Sequence, residues 1–114
     1  MKSLQDKIKL FCAERDWQQY HDPKSLAIAV SVEAAEVLEH FMWLTGEESR
    51  QLTPKALAEV ADEIGDVMIC LTNLAMQLGI DPVAAAHAKL AKVALKYPVE
   101  KAKGKALKYD KLEG

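Results

Sequence analysis

Cysteine, glycine and proline are scarce in this 114-residue chain. The two cysteines, Cys12 and Cys70, lie far apart and match no CxxC or Cys/His zinc spacing, so they read as reduced core residues of a cytoplasmic protein. Five glycines and four prolines do little to interrupt seventeen alanines and fourteen leucines, a balance that favours helix nearly throughout. The longest uncharged run, Val67 to Ile80, has 14 residues, short of the roughly 20 that span a bilayer. The opening MKSLQDKIKLF holds no apolar signal core, and no internal repeat or low-complexity segment is visible. Neither charge sign dominates: 15 Lys+Arg face 17 Asp+Glu, for a net charge of −2. A pI of about 5.9 argues against binding along a nucleic-acid backbone. The expectation is a single soluble domain over residues 1–114, in the cytoplasm, with neither a nucleic-acid polymer nor a membrane as partner.

What is present is helical patterning. Ser3 can cap a first helix over about 3–17, with Leu4, Ile8, Leu10 and Phe11 on its apolar side. His21-Asp22-Pro23 breaks the period, because the residue before a proline resists the α conformation. A second helix is predicted over about 25–44, stopped at Thr45-Gly46. Thr53-Pro54 and Asp81-Pro82 each pair a cap with a first-turn proline, opening helices over about 54–78, closed by Gly79, and about 82–96. Residues 97–114 read as a basic C-terminal arm. Four helices on short connections predict an all-α, four-helix bundle-like domain, and so short a chain is expected to cover its apolar faces by oligomerising.

The small net charge hides a division. From Glu33 to Asp66 nine carboxylates face only Arg50 and Lys55, a net of −7, and from Lys89 to Lys111 eight lysines face Glu100 and Asp110, a net of +6. At about 100° per residue, Leu26, Val30, Val37, Phe41 and Leu44 make one stripe on the second helix, and Glu33 falls inside it. Ala56, Val60, Val67, Leu74 and Leu78 make the matching stripe on the third, and Glu63 falls inside that. Glu36 and Asp66 follow each by three residues, at the edge of the same face. Glu39, Glu47 and Glu48, by contrast, read as solvated helix carboxylates.

A carboxylate placed inward without a cation is costly. No lysine or arginine stands between Lys24 and Arg50 or between Lys55 and Lys89, so four converging acids call for a divalent metal. All-oxygen ligation selects Mg²⁺ or Mn²⁺ over zinc or copper. A di-iron centre is disfavoured, because it needs Glu-x-x-His pairs; His40 is four residues from Glu36, and no histidine follows Glu63 until His87. Mg²⁺ that keeps some of its waters commonly serves phosphate chemistry.

Glu33-x-x-Glu36 followed by Glu63-x-x-Asp66 within DEIGDV resembles the MazG-like all-α nucleoside triphosphate pyrophosphohydrolases. Phe11 to Trp43, KYP at 96–98 and KALKYDKL at 105–112 are similar to the dCTP pyrophosphatase branch, so the likeness covers nearly the whole chain. The resemblance implies hydrolysis of a nucleoside triphosphate, in particular a deoxynucleotide cleared from the pool, to monophosphate and pyrophosphate, with dCTP as a candidate preference. It implies Mg²⁺ bound by Glu33, Glu36, Glu63 and Asp66, which are also the catalytic group, and a homodimer or homotetramer whose subunits share each pocket. Trp17 and Trp43 match positions that line the base pocket, His21 matches a His-x-Pro loop that meets substrate, Lys89 and Lys96 match basic positions suited to phosphate, and Tyr97 joins them through the KYP string. Val93 stands where relatives commonly carry asparagine, and Ser25 and Cys70 stand where eukaryotic dCTP-directed relatives carry bulkier polar or aromatic groups. Val93 sustains the alternative, a non-catalytic helical module that binds nucleotide or protein.

Overall fold

The computed structural model describes residues 2–106. The chain is all-α, with α1 (Lys2–Glu14), α2 (Pro23–Glu39), α3 (Pro54–Gln77), α4 (Pro82–Lys96) and the short α5 (Val99–Ala102). Among the described residues there is no strand, and no single helix is long and apolar enough to cross a membrane.

Three helices start by one device, an extended cap residue whose side chain accepts from first-turn amides, followed by proline where the missing N–H costs nothing. Asp22 Oδ1 accepts from Ser25 N at 2.8 Å, Thr53 Oγ1 from Ala56 N at 3.1 Å, and Asp81 Oδ1 from Val83 N and Ala84 N at 2.9 and 3.1 Å. The Ser25 backbone amide is also the main reason that the Asp22 carboxyl lies below its ordinary pKa. Thus α2 opens at Pro23, two residues before the expected Ser25: Asp22-Pro23 is a helix start as well as an interruption.

Helix ends differ more from expectation. α3 closes where Gly79 predicts, in a Schellman turn: Gly79 takes φ +67°, Ile80 N donates to Ala75 O at 2.8 Å and Gly79 N to Met76 O at 3.1 Å. α1 uses the same turn without a glycine. Asp16 sits at φ +53°, with Trp17 N donating to Cys12 O at 3.0 Å and Asp16 N to Ala13 O at 3.1 Å, which ends the helix at Glu14 and not near 17. Ser3 lies inside that helix and does not cap it. α2 ends at Glu39 and not at 44, its backbone tightening into turns such as Phe41 N to Leu38 O at 2.8 Å. Thr45 then begins the next turn in place of stopping the helix: Thr45 N donates to Glu48 Oε1 at 2.8 Å and Glu48 N to Thr45 Oγ1 at 3.1 Å, a reciprocal capping box. In the basic arm, Val99–Ala102 form a helical turn; residues 107–114 of that arm lie outside the described residues.

The described residues fall into two compact units, one ending at Ile80 with α1 to α3, the other beginning at Asp81 with α4 and α5. In the first, α2 packs chiefly on α3, and α1 packs on α3 to a smaller extent. The buried apolar residues are Ile8, Cys12, Leu26, Val60 and Ala75, joined by the polar Thr72 and Asn73. On α1 the inward pair is Ile8 and Cys12, one turn apart, which turns Leu10 outward to 62% exposure and leaves Phe11 half exposed. Both cysteines are free, Cys12 in the core and Cys70 only half-buried.

The left-handed Asp16 gives a direct test of the α1 stop. Asp16→Val should destabilise the protein by about 1–2 kcal/mol, because a β-branched side chain crowds the backbone in that conformation. Asp16→Gly should be neutral or stabilising by up to about 1 kcal/mol. Urea unfolding of the two variants checks the order.

Candidate active site

The inward stripes of α2 and α3 meet over most of their length: Leu26 and Val60 are buried, and Val30, Val37, Phe41, Ala56, Val67 and Leu74 are half-buried, whereas Leu44, beyond the end of α2, and Leu78, at the C-cap of α3, are exposed. Glu33 and Glu63 lie within these faces. Glu33, Glu36 and Glu63 are half-buried and Asp66 is exposed, and each offers a carboxylate oxygen that lies within 4.8 Å of the other three. Ligands on opposite sides of a small ion at ~2.1 Å stand about 4.2 Å apart, so the four oxygens are spaced closely enough that they could hold one ion. Among the described residues, Glu33 Oε2 and Glu63 Oε2 are side-chain oxygens sealed from solvent with no hydrogen-bond partner. Two orphaned oxygens, one from each helix and both in an all-oxygen cluster, are donors of the kind that suits a hard divalent cation.

The electrostatics of the cluster agree. Glu33 is pushed up from 4.5 to about 7, first by sharing a hydrogen bond with Glu36, then by burial, then by repulsion from Glu36, Asp66 and Glu63. The Cys70 thiol is pushed up too, by burial and by the charges of Glu33 and Asp66. One residue that sequence reasoning missed borders the cluster: His40, at the end of α2, places Nε2 3.6 Å from Glu63 Oε1. Its spacing of seven from Glu33, two turns along one face, was the available signal.

Beside the acids lies an apolar cavity of about 450 Å³, lined by residues from α1, α2, α3 and the loop after α1. Its wall includes Phe11 and Trp17, whose rings meet edge-on with centroids 5.6 Å apart. Arg15 covers Phe11, its guanidinium carbon 3.8 Å from the ring centre. His21 lines the cavity and pairs with Asn73, whose Nδ2 lies 3.1 Å from His21 Nδ1. The cavity and the acids share two helices: Ala29 is one turn before Glu33 on α2, and Cys70 is one turn after Asp66 on α3, both in the cavity wall.

Of the ten residues singled out from sequence, the structure brings Glu33, Glu36, Glu63 and Asp66 together, with Trp17 and His21 in the adjoining cavity. Trp43 stands outside the cavity wall at 87% exposure, in the turns after α2. Lys89, Lys96 and Tyr97 belong to the second unit, on α4 and at its C-terminal cap.

The proton on Glu33 predicts how metal-free protein responds to pH. Below about pH 4.5 the carboxyl is protonated folded and unfolded alike; between there and about pH 7 the unfolded chain releases the proton while the folded chain keeps it. Stability in chelator should therefore fall as pH rises through that window and level off above it. Divalent metal should restore it near pH 7.5 and have little effect near pH 5, where protons compete for the ligands. Thermal melts with and without Mg²⁺ or Mn²⁺ check this, and a metal-free melt flat in pH would show that Glu33 holds no such proton.

Comparison with known proteins points the same way. The dCTP pyrophosphatase 1 proteins of Bos taurus and Homo sapiens are each 36% identical to the chain over 104 residues, 90% of its length and 62% and 61% of theirs. The chain thus spans about three fifths of the length of these curated relatives. The crystal structure of a pyrophosphatase from Archaeoglobus fulgidus superposes with a TM-score of 0.81 at 38% identity, covering 86% of this chain and 92% of that one. Residues 28–112, which hold the whole acidic quartet, match the MazG-like family, and the chain belongs to it.

Proposed function

We propose that the protein hydrolyses deoxynucleoside triphosphates to the monophosphate and pyrophosphate in the cytoplasm, removing surplus or modified nucleotides, with dCTP as its preferred natural substrate. The observation that carries this reading is the adjacency of an apolar, aromatic-walled cavity to four carboxylates with two orphaned oxygens. A base and its sugar suit the first, and a metal-bound triphosphate the second. The names of the relatives, dCTP pyrophosphatase 1 and a pyrophosphatase, support the same reaction.

Glu33, Glu36, Glu63 and Asp66 would hold Mg²⁺, with Mn²⁺ as a substitute. When bound, the metal supplies charge withdrawal from the phosphates and a lowered pKa for water. The chain's own part is positional and acid–base. Trp17 and Phe11 offer aromatic faces to the base and keep water from it. A carboxylate of the quartet takes the proton from the water that attacks the α-phosphorus, as the α–β anhydride bond breaks and pyrophosphate leaves. Trp43, Lys89, Lys96 and Tyr97 are proposed as further substrate contacts.

Self-association belongs to this proposal. α3 leaves Leu57, Ile64, Met68 and Leu71 exposed on one face, a spacing of seven, four and three residues, and uncovered stripes of this kind mark interaction surfaces. We expect a homodimer or homotetramer. Light scattering should give at least twice the chain mass of 12.6 kDa, and a monomer at working concentration would remove the shared-pocket arrangement.

Incubation with each deoxynucleoside triphosphate and Mg²⁺, followed by separation of products, tests the reaction itself. Pyrophosphate and monophosphate should appear together, and Glu63→Gln should lower kcat/KM by about 100-fold or more through lost metal ligation. Release of orthophosphate would overturn the assignment of the cleaved bond. Nucleotide binding with no turnover at any divalent metal would assign the site to a binding module.

A further inference from the structure

Lys7, His21, Ser25 and Asn73 are the polar side chains of the cavity wall among the described residues, and Asn73 is the buried one. It is only 6% exposed, yet it lies among apolar residues on α3, one turn beyond Cys70. Its amide has one acceptor oxygen and two N–H groups. Among the described residues its side chain has one hydrogen-bond partner, His21, reached by Nδ2 at 3.1 Å. Asn73 Oδ1 is not among the oxygens sealed from solvent without a partner, which in the described residues are Glu33 Oε2 and Glu63 Oε2. The Asn73 oxygen therefore keeps some access, and the residue that carries it lines the cavity.

The contact with His21 ties the way the amide faces to the position of the ring proton. As placed, Nδ2 donates to Nδ1, which goes with the ring proton on Nε2; the turned-over amide would set Oδ1 against Nδ1 and need that proton on Nδ1, so amide orientation and ring tautomer are one choice. A free amide pairs with an amino group or a carbonyl equally well, by rotating half a turn. In the arrangement with Nδ2 on His21, the acceptor oxygen is the atom left for a ligand. We infer that Asn73, held by His21, is the residue that selects the base: Oδ1 accepts from the exocyclic amine of an amino-bearing base such as cytosine, and meets the carbonyl of uracil or thymine acceptor to acceptor. This rests on the proposed reading of the cavity as the base site. Asn73 is thus a specificity-determining residue, and His21 positions it.

Calorimetric titration with Ca²⁺ in place of Mg²⁺ separates base recognition from turnover. The probes are dCTP, dUTP and the deoxynucleoside triphosphate of 2-pyrimidinone, which lacks only the 4-amino group of cytosine. Wild-type protein should bind dCTP about 10- to 100-fold more tightly than either, the usual effect of leaving a buried acceptor unmatched. Asn73→Leu should bring dCTP to the level of the other two with Mn²⁺ affinity unchanged. His21→Phe, which releases the amide to rotate, should instead raise dUTP towards dCTP. Equal binding of dCTP and the pyrimidinone by wild type would overturn the inference, as would a folded Asn73→Leu that keeps the preference. Preferential dCTP binding without pyrophosphate release would sink the hydrolase reading and leave the role of Asn73 intact, whereas no nucleotide binding at all would overturn both.

Discussion

Carboxylates drawn from two helices onto one seam repel each other, and the partial burial of that seam removes the water that would screen them. Here Glu33 and Glu36 share a hydrogen bond, Glu33 is held protonated up to about pH 7, and an oxygen of Glu33 and another of Glu63 remain sealed without partners. Such a seam is a poor way to stabilise a helix pair by itself. It fits a chain in which α2 and α3 are held together by the apolar residues above and below the acids, leaving the acids available to a cation.

The cavity depends on the same pair of helices. Because Ala29 precedes Glu33 by a turn and Cys70 follows Asp66 by a turn, whatever fixes the acids also fixes the cavity floor. α1 supplies Ile8, Phe11 and Cys12 to the wall, and its Schellman stop at Asp16 sets the path of the chain into Trp17 and His21. Apolar walls beside a charged quartet provide two chemical environments within one small unit, suited to a ligand that is aromatic at one end and anionic at the other.

Much of this was legible in residue order. The scarcity of glycine and proline, the cap-plus-proline pairs at Thr53-Pro54 and Asp81-Pro82, and Gly79 are local signals, and local signals place helix starts and stops wherever the backbone's own hydrogen bonds decide. Expectation and structure part where two local signals compete. Asp22-Pro23 both interrupts the segment before it and caps the helix after it, and Thr45-Gly46 stops one helix or opens the next turn depending on whether Glu48 reaches back. Asp16 ends α1 in a conformation for which glycine would have been the usual sign.

The sequence by itself determined the all-α character and the inward placement of Glu33 and Glu63, since both follow from composition and a period of about 3.6 residues that each helix carries alone. Tertiary structure alone decided the pairings between helices. His40 meets Glu63 and His21 meets Asn73, 52 positions away, because α2 and the loop before it settle at one height and one rotation against α3. It also decided which apolar residues are covered: Ile8 and Leu26 go inside, while Leu10, Leu57 and Ile64 stay in solvent. A helix's period shows which residues share a face, but which face finds a neighbour depends on packing between elements distant in sequence.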